Sequence, residues 1–142
     1  MIWIDGNVPS LKNSKVKTSR GIFPSKTVQN YIRDLGIQSY SVSKKIVKGY
    51  VRRDNLFEQL RPEFEEAMKD KETPYRIGFH FVRRTKHKFD FHNMVQILAD
   101  LMVAHDFIED DNMEYFIPIP MRMKGEFYHY DKEKPGVYIK IY

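Results

Sequence analysis

The stretch PYRIGFHFVRRTKHKFDFHNMVQILADLMVAHD, residues 74–106, holds two periods side by side. From Tyr75 to Val82 the residues alternate, with Tyr75, Ile77, Phe79 and Phe81 on one side and Arg76, Gly78, His80 and Val82 on the other. Successive side chains of a strand leave on opposite faces, so this alternation predicts a strand with one buried face. From Met94 the apolar residues recur at helical spacing, as Met94, Ile97, Leu98, Leu101 and Met102, with His105 in register. A strand passing into an amphipathic helix commits this half of the chain to a sheet covered by helix.

Working outward, LFEQLRPEFEEAMKD (56–70) predicts helix in two pieces broken near Arg61. Pro62 suits a first helical turn, and the acids behind it suit the positive end of the helix dipole. SKTVQNYIRDLG (25–36) predicts a short helix capped by Ser25 or Thr27, burying Val28, Tyr31, Ile32 and Leu35. MIWIDG opens the chain as a strand, and NVPSLKNSKVKTSRG (7–21) reads as a polar, basic loop. Residues 39–55 have no clean period. MEYFIPIPMRM (113–123) and GVYIKIY (136–142) predict closing strands joined by a loop around KGEFYHYDKEKPG. Pro118 and Pro120 place the former at a sheet edge. The order β, loop, α, α, β, α, β, β predicts an α+β fold, a mixed sheet with helices packed on one face, as a single domain over residues 1–142.

Composition bounds the chemistry. The chain has no cysteine, which excludes disulfides and thiolate metal sites. No apolar run approaches the roughly 20 residues of a spanning helix. The N-terminus reads as a strand instead of an export signal, so a cytoplasmic protein is expected. The net charge of +5 conceals an asymmetry: residues 1–53 carry eleven Lys/Arg against Asp5 and Asp34, a balance of +9, and the remainder is −4. A basic half of that density suits a polyanionic partner, although a merely solvated basic surface has the same composition.

The densest basic run, Arg83, Arg84, Lys86, His87 and Lys88, leads straight into Asp90, and Glu109, Asp110 and Asp111 follow the helix. Separately these acids have local explanations. Asp90 stands where a cap accepts from orphan backbone N–H groups, with Asn93 near the same turn, and EDDN suits a turn. Jointly they match what phosphodiester cleavage by Mg²⁺ or Mn²⁺ requires, carboxylates converging from separate segments. A helix over 92–104 is about 20 Å long, and the residues from His105 to Asp110 can span about 20 Å. The chain can therefore just return to the start of the helix; otherwise the acids meet across a dimer. The basic flank would offset phosphate repulsion by the carboxylates.

KFDFHNMVQILADLMVAHDFIEDDN resembles the core of the RusA-type Holliday junction resolvases. In that family a D-x-D-N segment precedes a helix, and an acidic pair follows about twenty residues after the first Asp. Asp90, Asn93, Asp110 and Asp111 fall on those positions without a gap, and VPSLKNSK more loosely resembles the family's loop after its first strand. The resemblance implies a homodimeric, Mg²⁺-dependent endonuclease nicking four-way DNA junctions in symmetric pairs. Such enzymes serve recombination and repair and are commonly phage- or prophage-encoded. It makes Asp90 and Asp111 metal ligands, Asp110 an adjacent acid, and Asn93 a group orienting the first acid or a water. Two positions depart. His92 stands where the family has its second Asp, a ligand change that favours Mn²⁺ over Mg²⁺. Gln96 stands where members often place a functional Lys.

Other classes fare worse. No H-x-x-x-H pair, nucleotide loop or G-x-S-x-G elbow occurs. His105 reads as favourable dipole chemistry at a helix end. Tyr115, Phe116, Phe127, Tyr128 and Tyr130 read as core and dimer contacts, or as stacking groups if exposed. The expectation is a metal-dependent endodeoxyribonuclease acting on branched DNA as a homodimer, with no membrane partner. Asp90, Asp110, Asp111 and Asn93 are its catalytic group, and Asp90, Asp111 and His92 its Mg²⁺ or Mn²⁺ ligands. Lys12, Lys15, Lys17, Arg20, Arg83, Arg84, Lys86 and Lys88 are its phosphate contacts. The rival expectations are a structure-selective DNA-binding protein that has lost cleavage, and a basic interaction module.

Overall fold

The computed structural model describes residues 1–10, 15–18, 21–24, 26–36 and 55–142. Among them lie β1 (Ile2–Asp5), β2 (Lys15–Thr18), β3 (Gly21–Pro24), α1 (Lys26–Asp34), a 3₁₀ turn (Glu58–Leu60), α2 (Arg61–Met68), β4 (Tyr75–Arg83), α3 (Phe91–Ala104), β5 (Phe116–Pro120), β6 (Tyr128–Tyr130) and β7 (Gly136–Ile141). The fold is α+β, a five-stranded mixed sheet with its helices on one face. The helix in two pieces, the edge position of the proline-bearing β5 and the short α1 all follow the sequence patterns. Two expectations need correction. The basic loop over 7–21 contains β2, which pairs antiparallel with β3, and the loop around KGEFYHYDKEKPG contains β6.

β4 is the centre of the sheet. β7 pairs antiparallel along one edge, and β1 pairs with β7 beyond it. Along the other edge β5 pairs parallel to Tyr75–Phe79, and β6 continues, also parallel, against Phe81–Arg83. The parallel β4–β5 pair is joined by α3, the crossover that a parallel pair requires. Ile77, Phe79 and Phe81 face the helices, packed with Ile2, Ile4, Val137, Ile139 and Ile141 against α3. Burying each such side chain contributes about 1.5–3 kcal/mol relative to exposure. The predicted single buried face is, however, two. Gly78, His80 and Val82 are buried as well, because a central strand is covered from both sides. Tyr142 and Met121 crowd Gly78 so closely that an added Cβ would come within 2.8 Å of the Tyr142 ring.

α3 buries Met94, Ile97, Leu98, Leu101 and Met102 as its spacing predicts, and also Val95, Ala99, Asp100 and Val103. Its C-terminal cap is His105, which is 2% exposed. His105 Nδ1 donates to the Leu101 carbonyl at 2.8 Å, and Asn55 Nδ2 donates to Nε2 at 3.1 Å. Arg61 donates to the His105 carbonyl and lies 4.7 Å from the Phe107 ring centroid. This group pins the start of α2 to the end of α3. Burial pushes His105 below the ordinary histidine value. It therefore caps as a neutral hydrogen-bonding ring, not as the favourable charge that its position at a helix end suggests.

His80, fully buried on the other face of β4, is likewise held below its ordinary value by desolvation. In the unfolded chain both rings titrate near pH 6.5. Below that value the unfolded state takes up protons that the folded state refuses, so this stability is complete above about pH 6.5 and declines as pH falls. The urea midpoint is expected to drop between about pH 7.5 and about pH 5.5, and His80→Gln and His105→Gln should each flatten the drop. Equal drops in wild type and both variants would show that other groups carry it.

Candidate functional site

α3 begins where the alternation of β4 gives way to residues 84–89. Asp90 sits in extended backbone (φ −107°, ψ 120°), and its Oδ1 accepts from the His92 N–H at 3.0 Å. That is the capping role read from the sequence, and it satisfies one of the donors that a helix start leaves orphaned. His92 is exposed, with its ring edge-on to Phe91 at 5.7 Å between centroids. Asn93 is half-buried on the same turn.

Beyond His105 the chain folds back along the helix. The Phe107 and Ile108 N–H groups both donate to the Met102 carbonyl, and both side chains are buried. They carry EDDN to the flank of α3. Asp110 Oδ1 accepts from the Asp111 N–H at 2.7 Å, and Asn112 Oδ1 accepts from the Glu114 N–H at 2.9 Å, so this is also the turn expected. Its negative field reaches Tyr115, whose phenol is raised chiefly by Glu109, with burial, Glu114 and Asp110 adding.

The contact that unites the segments is made by Gln96. Its Nε2 donates to Asp111 Oδ2 at 3.1 Å and to Asp100 Oδ1 at 2.9 Å. Asn93, Gln96 and Asp100 fall on one strip of the helix, and Asp111 is brought to that strip from outside. Gln96 stands six residues from Asp90, about 9 Å of helical rise. The returning chain therefore meets the middle of the helix, short of its start. Asp100, 5% exposed, is the residue that sequence reasoning missed. Its one signal was an acid, four residues after Gln96, inside an otherwise apolar run.

The basic residues divide. Arg83 is turned inward: it donates to the His87 carbonyl and stacks 4.4 Å from the Phe89 ring centroid, shaping the loop that leads to Asp90. Arg84 is exposed; its backbone N–H donates to Asn7 Oδ1, and the residue lines a cavity with Asp5, Tyr31 and Asp34. Lys86 and Lys88 are exposed, with Lys86 Nζ 5.0 Å from the Tyr130 ring centroid. Lys15 and Lys17 belong to β2, and Lys12 and Arg20 lie outside the described residues. Phe116 is core, whereas Phe127, Tyr128 and Tyr130 are exposed.

Carboxylate oxygens are the right donors for Mg²⁺ or Mn²⁺. Among the described residues no three His, Asp or Glu side chains form a ready ligand set. Asp100 and Asp111 converge on one amide nitrogen, with Asp90 at the cap. Carboxylates are the donor type that a hard cation takes, but Asp90 stands at the start of α3 and Asp111 reaches its middle, so the two are not drawn together as one ligand set among the described residues. Compared with protein-family models, with curated proteins and with solved structures, the chain finds no match.

The cap and the charge of Asp90 are separable. Asp90→Asn keeps a capping oxygen and should leave thermal stability nearly unchanged, while Asp90→Ala should cost about 1 kcal/mol. Equal losses in both variants by denaturant titration would show that its charge, not its cap, stabilises the fold.

Proposed function

We propose that this chain is a metal-dependent endodeoxyribonuclease that nicks branched DNA, four-way junctions foremost, as a homodimer in recombination or repair. What supports the reading above all is the Gln96–Asp111 contact. The two positions are fifteen residues apart in sequence, and the RusA-type pattern assigns both to one site. Their junction brings the acid of the turn to the helix that Asp90 opens.

In this reading Asp90 and Asp111, which stand at the start and the middle of α3, would hold Mg²⁺ or Mn²⁺ once drawn together within one subunit or across the dimer, with His92 near the first acid and Asp110 beside the second. The ion, when bound, supplies activated water and polarises the scissile phosphate. Asn93 orients the first acid from the same turn. Gln96 fixes Asp111 against Asp100, limiting how the carboxylate rotates. Exposed Lys86 and Lys88, with Arg84 and the basic N-terminal residues, draw backbone phosphate towards acids that would otherwise repel it. A two-fold dimer places two such sites on equivalent strands of a symmetric junction.

One observation favours a second reading, junction binding without cleavage. Gln96 is a neutral amide where the related pattern often has a cation, so it adds hydrogen bonds to Asp100 and Asp111 but no positive charge.

Purified protein is expected to nick a synthetic four-way junction with Mn²⁺ or Mg²⁺ and far less without metal. Asp90→Asn and Asp111→Asn should each abolish nicking while sparing junction binding. Tight binding without nicks in either metal would select the second reading, in which His92→Asp with Gln96→Lys should gain nicking. Failure to bind junctions at low salt would overturn both.

A further inference from the structure

The sheet face turned away from the helices carries a row of aromatic and histidine side chains. One rung of that face reads Trp3, Tyr138, His80 across β1, β7 and β4, in register. The Trp3 and Tyr138 rings lie 4.5 Å apart, and His80 lies 4.8 Å from His129 of β6. Beside this rung opens a cavity of about 490 Å³ whose lining includes Trp3, Tyr138, Tyr130, His129, Lys124 and Lys134.

Each part of the lining is held in place. A Cβ at Gly136 would come within 2.3 Å of the Trp3 ring, so only glycine lets the indole lie across β7. His80 Nδ1 lies 2.8 Å from the Met121 carbonyl, which only accepts, so that nitrogen carries hydrogen. Burial keeps His80 neutral, leaving its Nε2 to accept from His129 Nδ1 at 2.6 Å. The His129 ring is thereby oriented, with Nε2 as its remaining polar atom. Lys124 and Gly125 form a two-residue turn with positive φ at both positions (52° and 81°), closed by reciprocal backbone bonds between Met123 and Glu126. Lys134 ends a turn in which Asp131 Oδ1 accepts from the Glu133 and Lys134 N–H groups.

The lining combines flat aromatic faces with two ammonium groups and one carboxylate, Asp131, whose Oδ1 is taken up by the turn that ends at Lys134. An aliphatic ligand would cover the lysines and His129 without partners, and a bare anion would leave the rings unused. A planar base carrying a phosphate engages both, and the volume suits one. We propose that this cavity binds a single unpaired nucleotide, its base against Trp3 and the neighbouring tyrosines and its phosphate on Lys124 and Lys134. The ligand class extends the nucleic-acid reading above, but the site needs neither metal nor cleavage. Lys86, over the Tyr130 ring, joins the rim of the cavity to the loop that leads to Asp90.

Trp3 is the only tryptophan in the chain, so its emission reports this cavity alone. Full-length protein titrated with oligothymidylate, and separately with dTMP, should show saturable quenching. The Lys124→Ala/Lys134→Ala variant should bind about tenfold more weakly. Quenching by both ligands assigns the cavity to free nucleotides and strands alike; quenching by the oligonucleotide alone restricts it to strands. Emission unmoved by either ligand overturns the proposal, as does unchanged affinity in the lysine variant. A shift on dilution without nucleotide also overturns it, since a second copy would then be covering the face. Junction nicking with silent Trp3 overturns only this proposal, and quenching without junction binding leaves it standing while removing the nuclease reading.

Discussion

The arrangement depends on the burial of β4 from both sides. Ile77, Phe79 and Phe81 anchor α3, and that packing requires a strand paired along both edges, since a buried backbone cannot leave its polar groups unmet. One edge is met continuously by β7, but the other is shared by β5 and β6 with a break between them. The Met121 N–H closes part of the break by donating to the Phe79 carbonyl, and His80 closes more by donating to the Met121 carbonyl. A polar ring inside the sheet is thus a consequence of an interrupted edge. It is tolerated because both of its nitrogens are engaged, one by Met121 and one by His129.

α3 inherits its constraints from that strand. Packed against the sheet and crossed by the returning chain, it keeps few side chains in solvent, among them His92 and Gln96. An acid as buried as Asp100 needs a partner, and Gln96 one turn earlier supplies a hydrogen bond without competing charge. The same amide then takes Asp111, so the feature that accommodates Asp100 in the helix also fixes the turn after it. Stability and the proposed chemistry therefore draw on the same side chain. At Asp90 they do so again, because the bond that caps the helix also sets where its carboxylate stands.

What the sequence disclosed follows from where each structure's cause lies. Helices α1, α2 and α3, the cap at Asp90 and the turn at EDDN are decided within a few residues, so spacing and residue type disclosed them. The double burial of β4 was partly visible in Gly78 and Val82, but nothing local says that Met121, His129 and Tyr142 cover them. β6 is three residues long, polar and aromatic, and is a strand only because Phe81–Arg83 offers it an edge. The β2–β3 hairpin lacked the two-residue glycine turn that marks such pairs. The Gln96, Asp100 and Asp111 group and the His80–His129 pair join side chains that are far apart in sequence, except Gln96 and Asp100. Their partners are chosen by the tertiary fold, and no periodicity encodes them.

The basic run between β4 and α3 then takes on a divided role. Had all of its charge faced solvent, the loop would have been a uniform phosphate contact with no fixed shape. Arg83 instead spends its guanidinium on the His87 carbonyl and the Phe89 ring, which sets the path of the chain towards Asp90. Lys86 and Lys88 are left exposed on a loop already shaped, so their charge is presented from a defined place. Because Lys86 also lies over Tyr130, that place adjoins the rim of the aromatic cavity on the outer face. One loop, shaped by the single inward-turned Arg83, thus lies between the helix start at Asp90 and the rim of the cavity at Tyr130.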